Sequence, residues 1–432
     1  MGGGSCTVLQ FGEGNFIRAF FDWMLQRVEN SGGGRQRVFL VQPIPEGRVE
    51  EIAAAGEYHV LLRGYREGVY EEVLDPVRVV KGGANPFASG GFDRMMEAAL
   101  SPDLKVVASN TTEAGIFFEE RKEPHNYPSM LAAALDGRAK AGLPPLHILP
   151  LELIENNGAT LRECLVKYGR LWGLSGEYFG YLEDCHFYDT LVDRIVTGFP
   201  GKEAKEIFRT LGREDRLITA GELFHLFVIQ GDRSILDILP FDKAGLDVVV
   251  TSDQLPFYRD RKVRVLNGVH TASVPVALLA GVEYVKDFVE DARFAPELAS
   301  LVHEEIVPAF SGDRDAHQYG DDVLERFRNP ALEHAFRDIS LNSVAKSNTR
   351  LRPTLEDYFR KFSSLPPVLA GCIAAMCRLY GQGPVRDLPG GPLDLPDYGQ
   401  LKGRSVPEMV DSFFPGLADP LAGELVHFVE GS

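Results

Sequence analysis

The chain has 432 residues, 44% of them hydrophobic and 25% charged, which is ordinary globular composition and enough for two or three domains. Its formal net charge of −17 opposes diffuse attraction to a phosphate backbone or an anionic membrane, so neither nucleic acid nor membrane is expected as a partner. An anionic small molecule would need a local basic pocket. No apolar run is long enough to span a bilayer, and Met1-Gly2-Gly3-Gly4-Ser5-Cys6 lacks the basic start and apolar core of a signal peptide, which points to the cytoplasm. The five scattered cysteines (Cys6, Cys164, Cys185, Cys372, Cys377) fit reduced thiols, and no CxxC pair is present. His303-Glu304-Glu305 begins like a zincin helix but lacks the second histidine, so no metal is expected.

Taken in chain order, Thr7–Phe11 reads as a strand, Gly12-Glu13-Gly14 as a tight turn, and the apolar spacing of Ile17, Phe20, Phe21, Met24, Leu25 and Val28 as a helix. Asn30 to Gly34 stops that helix, and Arg37–Val41 reads as the next strand. This strand, turn, helix, strand order opens a dinucleotide-binding fold. Tyr58–Tyr65 and Gly68–Val73 predict an inserted hairpin. The alternation resumes with a helix near Phe92–Leu100, a strand Leu104–Ser109, a helix near Ser129–Lys140 and a strand Leu146–Leu149. Asp247–Val250 reads as the last strand, and beyond it the pattern is helical apart from the Pro/Gly-rich stretch Gly381–Gly399.

The first two glycines of the dinucleotide fingerprint stand at Gly12 and Gly14, followed by Asn15 and Phe16, with Ile17 where the third glycine belongs. An ordinary turn is the alternative, but the position directly after Phe11 and the first strand favours pyrophosphate binding. The acid expected at the end of the second strand is replaced by Gln42-Pro43. Asn110, Thr111, Thr112 and Glu113 follow another strand at its carboxyl end, where hydroxyls and a carboxamide suit a ribose and a nicotinamide amide; a capped loop is the competing reading.

Arg261 to His270 places an amine, a carboxamide and an imidazole in one short apolar run. If Tyr258–Val274 is a regular α-helix, Asn267 and His270 share a face and Lys262 lies about 80° round from His270. Such a set can move a proton at a carbonyl; the alternative is a surface helix with a solvated basic flank of Arg259, Arg261, Lys262 and Arg264. Pro275, inside the same helical pattern, is expected to kink or break it.

These segments in this order resemble the mannitol dehydrogenase family, the polyol-specific long-chain dehydrogenases. The matching stretches are Val8–Phe20, Ser109–Ile116, Leu191–Val196, Phe227–Gly231, Lys262–Thr271 and Arg326–Pro330, continuing to Lys346 and Arg350. The resemblance implies an α/β chain: an N-terminal Rossmann-like NAD-binding domain over residues 1–254, then a largely α-helical substrate domain over 255–432, with metal-free hydride transfer in the cleft between them. It makes Lys262 the general acid/base, and has Asn267 and His270 hold or polarise the reacting oxygen. Lysine must come down from a pKa of ~10.4 toward ~7–8 to run the oxidation at neutral pH, for which Arg259, Arg261 and Arg264 are candidate causes. Mannitol-type members carry Asn at the position of Leu153, and their Arg and Asp upstream of Lys346 correspond to Asp338 and Asn342. These departures favour a keto-hexuronate, with Lys346 and Arg350 on its carboxylate: NAD-dependent reduction of tagaturonate to altronate, with fructuronate reduction or mannitol oxidation as alternatives, and a non-catalytic dinucleotide-binding protein as the rival that the presence of Lys262, Asn267 and His270 together argues against. NAD is expected over NADP because no Arg or Lys immediately follows the second strand.

Overall fold

The computed structural model describes residues 6–66, 68–112, 114–310, 314–382 and 398–432. The chain divides into two compact units, one of residues 1–63 and 70–258, the other of residues 64–69 and 259–432.

In the first unit, β1 (Val8–Phe11) is buried along its whole length and pairs in parallel with β2 (Val38–Val41). Two long strands, β3 (Tyr58–Arg66) and β4 (Val69–Val77), precede a third parallel strand, β5 (Val80–Ala84), beside β2. β6 (Val106–Ser109) lies on the other side of β1, followed outward by β7 (His147–Pro150) and β8 (His186–Phe187). The order β5-β2-β1-β6-β7-β8, parallel throughout, is that of a doubly wound dinucleotide-binding sheet, whose direction of winding reverses between β1 and β6.

A parallel sheet covered on both faces needs strands apolar on both sides, and β1 has them. Val8 joins a core with Phe20, Phe21 and Met24, while Leu9 and Phe11 join a second with Met130, Leu131 and Leu165. Asn126 starts the helix Tyr127–Lys140 through a capping box, its Oδ1 accepting from Ser129 N at 3.0 Å while Ser129 Oγ accepts from Asn126 N, also at 3.0 Å.

The hairpin strands do not extend the main sheet. With β10 (Val196–Gly198) and β11 (Thr219–Glu222) they form a second sheet ordered β10-β11-β3-β4. A third sheet contains β9 (Asp189–Asp193), β12 (Leu226–Gln230) and β13 (Val248–Thr251) in the order β13-β12-β9. Thus the strand expected at Asp247–Val250 exists, shifted by one residue, but closes a separate small sheet. β5 was not expected, because Val80-Lys81-Gly82-Gly83-Ala84 has two glycines and a lysine in place of an apolar run. Gly83 is required by packing: a Cβ there would come within 2.7 Å of Val49 Cγ2.

The second unit is helical among its described residues, apart from the hairpin tip and one isolated bridge, Tyr284–Ala335. Its most buried helix is Gly268–Leu279, in which every residue from Gly268 to Pro275 is buried. The expected break at Pro275 does not occur. The helix continues four residues beyond the proline, because burial on all sides replaces the stability lost with one backbone bond. Most of the expected Pro/Gly-rich interruption, residues 383–397, lies outside the described residues.

Candidate active site

The glycine turn and the loop after β6 meet where the sheet reverses. Gly12 has φ 110°, and a Cβ on it would stand 2.6 Å from the carbonyl oxygen of Asn110, so only glycine fits. Asn110 N donates to Phe11 O at 2.9 Å. Gly14 is different: its φ is −62° and nothing lies within 4 Å of an added Cβ. Gly14 faces open space as the N-cap of the continuous helical run Asn15–Asn30, whose first N–H groups a pyrophosphate could take up. This cradle fits a dinucleotide. Beside it, Pro43, Ile44, Pro45, Phe87 and Phe117 line a cleft of about 600 Å³ with Thr111 and Thr112, apolar enough for an adenine ring.

The other residues expected to touch the cofactor have varied placements. The Phe11 side chain is fully buried with its ring 4.7 Å from Tyr127, so only its backbone is at the turn. Phe16 stacks on Phe20 at 5.2 Å, and the exposed Asn15 accepts from Arg18 Nη2 at 2.7 Å. Asn110 Nδ2 donates to Leu151 O at 3.2 Å. Thr111 gives both its N–H and its hydroxyl to Glu152, each at 2.9 Å, and Ser109 gives its hydroxyl to the other oxygen of the same carboxylate at 2.9 Å. Those hydroxyls therefore shape the loop. Glu152, 1% exposed and with a pKa raised by burial, organises residues 109–111, a role the sequence reading did not assign it. Thr112 has φ 80°, rare for a β-branched residue and a mark of a constrained loop. Glu113 lies outside the described residues.

The helix carrying Lys262 is not regular. An α-helix, Leu255–Arg261, passes into a π turn, Lys262–Asn267, before Gly268–Leu279 resumes α geometry. Gly268 N donates to Val263 O, the i+5 bond of a π turn. Regular α spacing would place Lys262 and Asn267 about 140° apart; residues five apart across a π turn align instead. His270 then follows about 60° further round. The extra residue in the turn thus brings the backbone positions of Lys262, Asn267 and His270 toward one face of the helix.

His270 is buried, with its ring stacked on Phe327 at 4.0 Å and set edge-on to His334 at 4.9 Å. These two contacts hold the ring plane without using its nitrogens, and Nε2 has no hydrogen-bond partner among the described residues. Its pKa lies well below the usual value, chiefly through burial and then through His334, Arg326, Arg350 and Lys346, so the imidazole is neutral at pH 7. A buried polar atom without a partner is costly unless a ligand satisfies it.

Arg261 and Arg264 are not part of a solvated flank. Arg264 is buried and pairs with Asp357 at 2.5 Å and Asp260 at 3.3 Å, while Arg261, also buried, lies over the Tyr319 ring at 4.2 Å. Lys346 and Arg350 share the helix Ser343–Arg350. Lys346 Nζ donates to Ile339 O at 2.9 Å, and its pKa is lowered by burial and by Arg350. Arg350 Nη1 reaches Thr271 Oγ1 at 3.3 Å, next to His270 in the chain. The positive charges of Arg326, Arg350 and Lys346 thus all disfavour a charged imidazole. Arg326 and Phe327 stand in the family-matching stretch Arg326–Pro330 but were given no role there, and His334 was missed because nothing local marks it. Leu153 is 54% exposed, and Asn342, with φ 59°, precedes the helix that carries Lys346.

The family model for the mannitol dehydrogenase Rossmann domain matches residues 6–239, more than half of the chain, and that for the mannitol dehydrogenase C-terminal domain matches residues 254–397. The chain belongs to the mannitol dehydrogenase family. An altronate oxidoreductase of Halalkalibacterium halodurans is 39% identical over 389 residues, spanning 86% of this chain and 75% of that protein. Among solved structures, a substrate-free D-sorbitol dehydrogenase superposes with a TM-score of 0.83 at 21% identity, covering 98% of this chain and 92% of the other. A Pseudomonas fluorescens mannitol 2-dehydrogenase, in ternary complex with NAD and D-mannitol, superposes at 0.72 with 18% identity, covering 99% and 91%. This member of the mannitol dehydrogenase family therefore has the family fold along nearly its whole length. Among its described residues no group of three or more His, Cys, Asp or Glu could hold a metal, and no helix is long and apolar enough to cross a membrane.

Proposed function

We propose that the protein is an altronate oxidoreductase, reducing tagaturonate to altronate with NADH and running the reverse oxidation with NAD. The carrying observation is His270: a neutral, buried imidazole whose Nε2 has no hydrogen-bond partner among the described residues, on the helix of Lys262 and Asn267 and under the influence of the positive charges of Arg326, Arg350 and Lys346. The name and 39% identity of the Halalkalibacterium halodurans relative support the same reading.

The bound cofactor supplies the hydride. Reduction of a ketone leaves negative charge on its oxygen, which the Asn267 carboxamide and the Lys262 ammonium stabilise by hydrogen bonding while Lys262 delivers the proton. His270 Nε2 takes one hydrogen bond with the substrate and holds the reacting carbon in register. Lys346 and Arg350 pair with the carboxylate of the sugar acid; the influences on Lys346 are its burial and the charge of Arg350, and an anion would relieve both. A neutral ketose would bring no negative charge to these cations, which disfavours fructose.

The test is a steady-state screen of NADH oxidation with tagaturonate, fructuronate and fructose. Tagaturonate is expected to give the highest kcat/KM and fructose the lowest. Equal values for charged and neutral substrates would refute the uronate assignment.

A further inference from the structure

Dinucleotide folds that take NAD commonly hold the adenosine ribose with an acid at the end of the second strand. Here Gln42 directly follows β2, and its side chain is already engaged. Its Nε2 donates to Ile44 O and Pro45 O, both at 2.9 Å, and its Oε1 accepts from Val49 N at 3.4 Å. Gln42 thus folds the 43–49 loop.

A carboxylate reaches the same place from another direction. Glu13, between the two glycines, has its backbone carbonyl held by Arg18 Nε at 3.0 Å, and its side chain crosses to the end of β2. There Oε1 accepts a long bond from Arg48 N at 3.4 Å, and a Cβ on Gly47 would overlap both Glu13 Oε1 and the Gln42 carboxamide. Gly47 is therefore the residue that leaves room for Glu13. Apart from the backbone N–H groups of Arg48 and of Glu13 itself, no donor reaches this carboxylate among the described residues, and burial disfavours its charged form, so a hydroxyl donor would be welcome. The nearby cation, Arg48, is occupied: its guanidinium makes two bonds to Glu51, at 2.7 and 2.8 Å, and a third to Arg216 O at 3.2 Å.

We infer that Glu13, from the glycine turn, supplies the carboxylate that β2 lacks: it accepts from the adenosine ribose 2′-hydroxyl and repels a 2′-phosphate. This rests on the nucleotide reading above and assigns NAD over NADP to a residue outside the usual position. The test is fluorescence titration of the full-length protein with NADH and NADPH, for the unaltered chain, Glu13→Gln, Glu13→Ala and a Glu46→Gln control, with folding checked by circular dichroism. The unaltered chain is expected to prefer NADH. Glu13→Gln should lower the NADH-to-NADPH affinity ratio by about tenfold or more, the scale of one charged hydrogen bond, and Glu46→Gln should leave it unchanged. A ratio unmoved in folded Glu13→Gln, or moved equally by Glu46→Gln, overturns the inference while the nucleotide site stands. Failure of the unaltered chain to bind either dinucleotide overturns both.

Discussion

Lys262 is the residue whose removal separates chemistry from binding. Lys262→Ala is expected to lower turnover by about 10²–10⁴-fold, the usual contribution of a general acid/base, while the NADH dissociation constant stays within about twofold. Near-normal turnover with an unchanged pH profile would demote Lys262 to a surface residue. The buried histidines make a second prediction at this scale. His270 titrates well below 6.5 in the folded chain, and His147, pushed down by burial and by His186, titrates at about 4. Above pH 6.5 both are neutral, folded or unfolded, and their contribution to stability is fully present. As pH falls below 6.5 the unfolded chain takes up protons that the folded chain refuses, so stability is lost, by at most about 1.4 kcal/mol per pH unit for each histidine. Urea unfolding at about pH 7.5 and about pH 5.5 should show this loss, and His270→Gln should show less of it. Equal pH slopes for the two proteins would contradict it.

At the scale of an element, the glycine turn contains two glycines with different reasons to exist. Gly12 has no room for a Cβ and sits at φ 110°, so Gly12→Ala should cost about 1–3 kcal/mol of stability as well as cofactor affinity. Gly14 has open space around it and an ordinary φ, so Gly14→Val should leave the melting temperature nearly unchanged and weaken NADH binding alone, by blocking the approach of the pyrophosphate. Thermal melts paired with NADH titrations check both; a Gly14→Val variant that binds NADH normally would remove the pyrophosphate from this turn. The helix of Lys262 teaches the complementary lesson. Its residue types were legible, but their alignment was not, because an apolar run reads equally well through an α or a π turn and only backbone hydrogen bonding distinguishes them.

For the whole molecule, a net charge of −17 makes recognition of an anion depend on local concentration of positive charge. Lys346→Met or Arg350→Met should raise KM for tagaturonate by about 10- to 100-fold, the scale of a lost charged hydrogen bond, and narrow the preference over fructose while NADH binding is unaffected. Unchanged KM in both variants would move the carboxylate site elsewhere, with Arg326 the next residue to replace.

The parallel sheet could be read from the chain because β1, β6 and β7 are short apolar runs bounded by turns, and the Gly12-Glu13-Gly14 turn announced itself by its place after the first strand. β5 escaped because its glycines serve close packing against Val49, which has no local signature. Lys262, Asn267 and His270 stood close enough in sequence to be chosen together. Their company did not: Arg326, Phe327 and His334 are more than fifty residues away, and their approach to His270 depends on how the helices pack. The same holds for Glu152, which binds a loop some forty residues earlier, and for Glu13, whose carboxylate stands at the end of β2 only because Gly47 leaves it room. Periodicity and turn chemistry act over a few residues and are written in order along the chain; burial, charge and shared hydrogen bonds act through space, and exist only once distant segments meet.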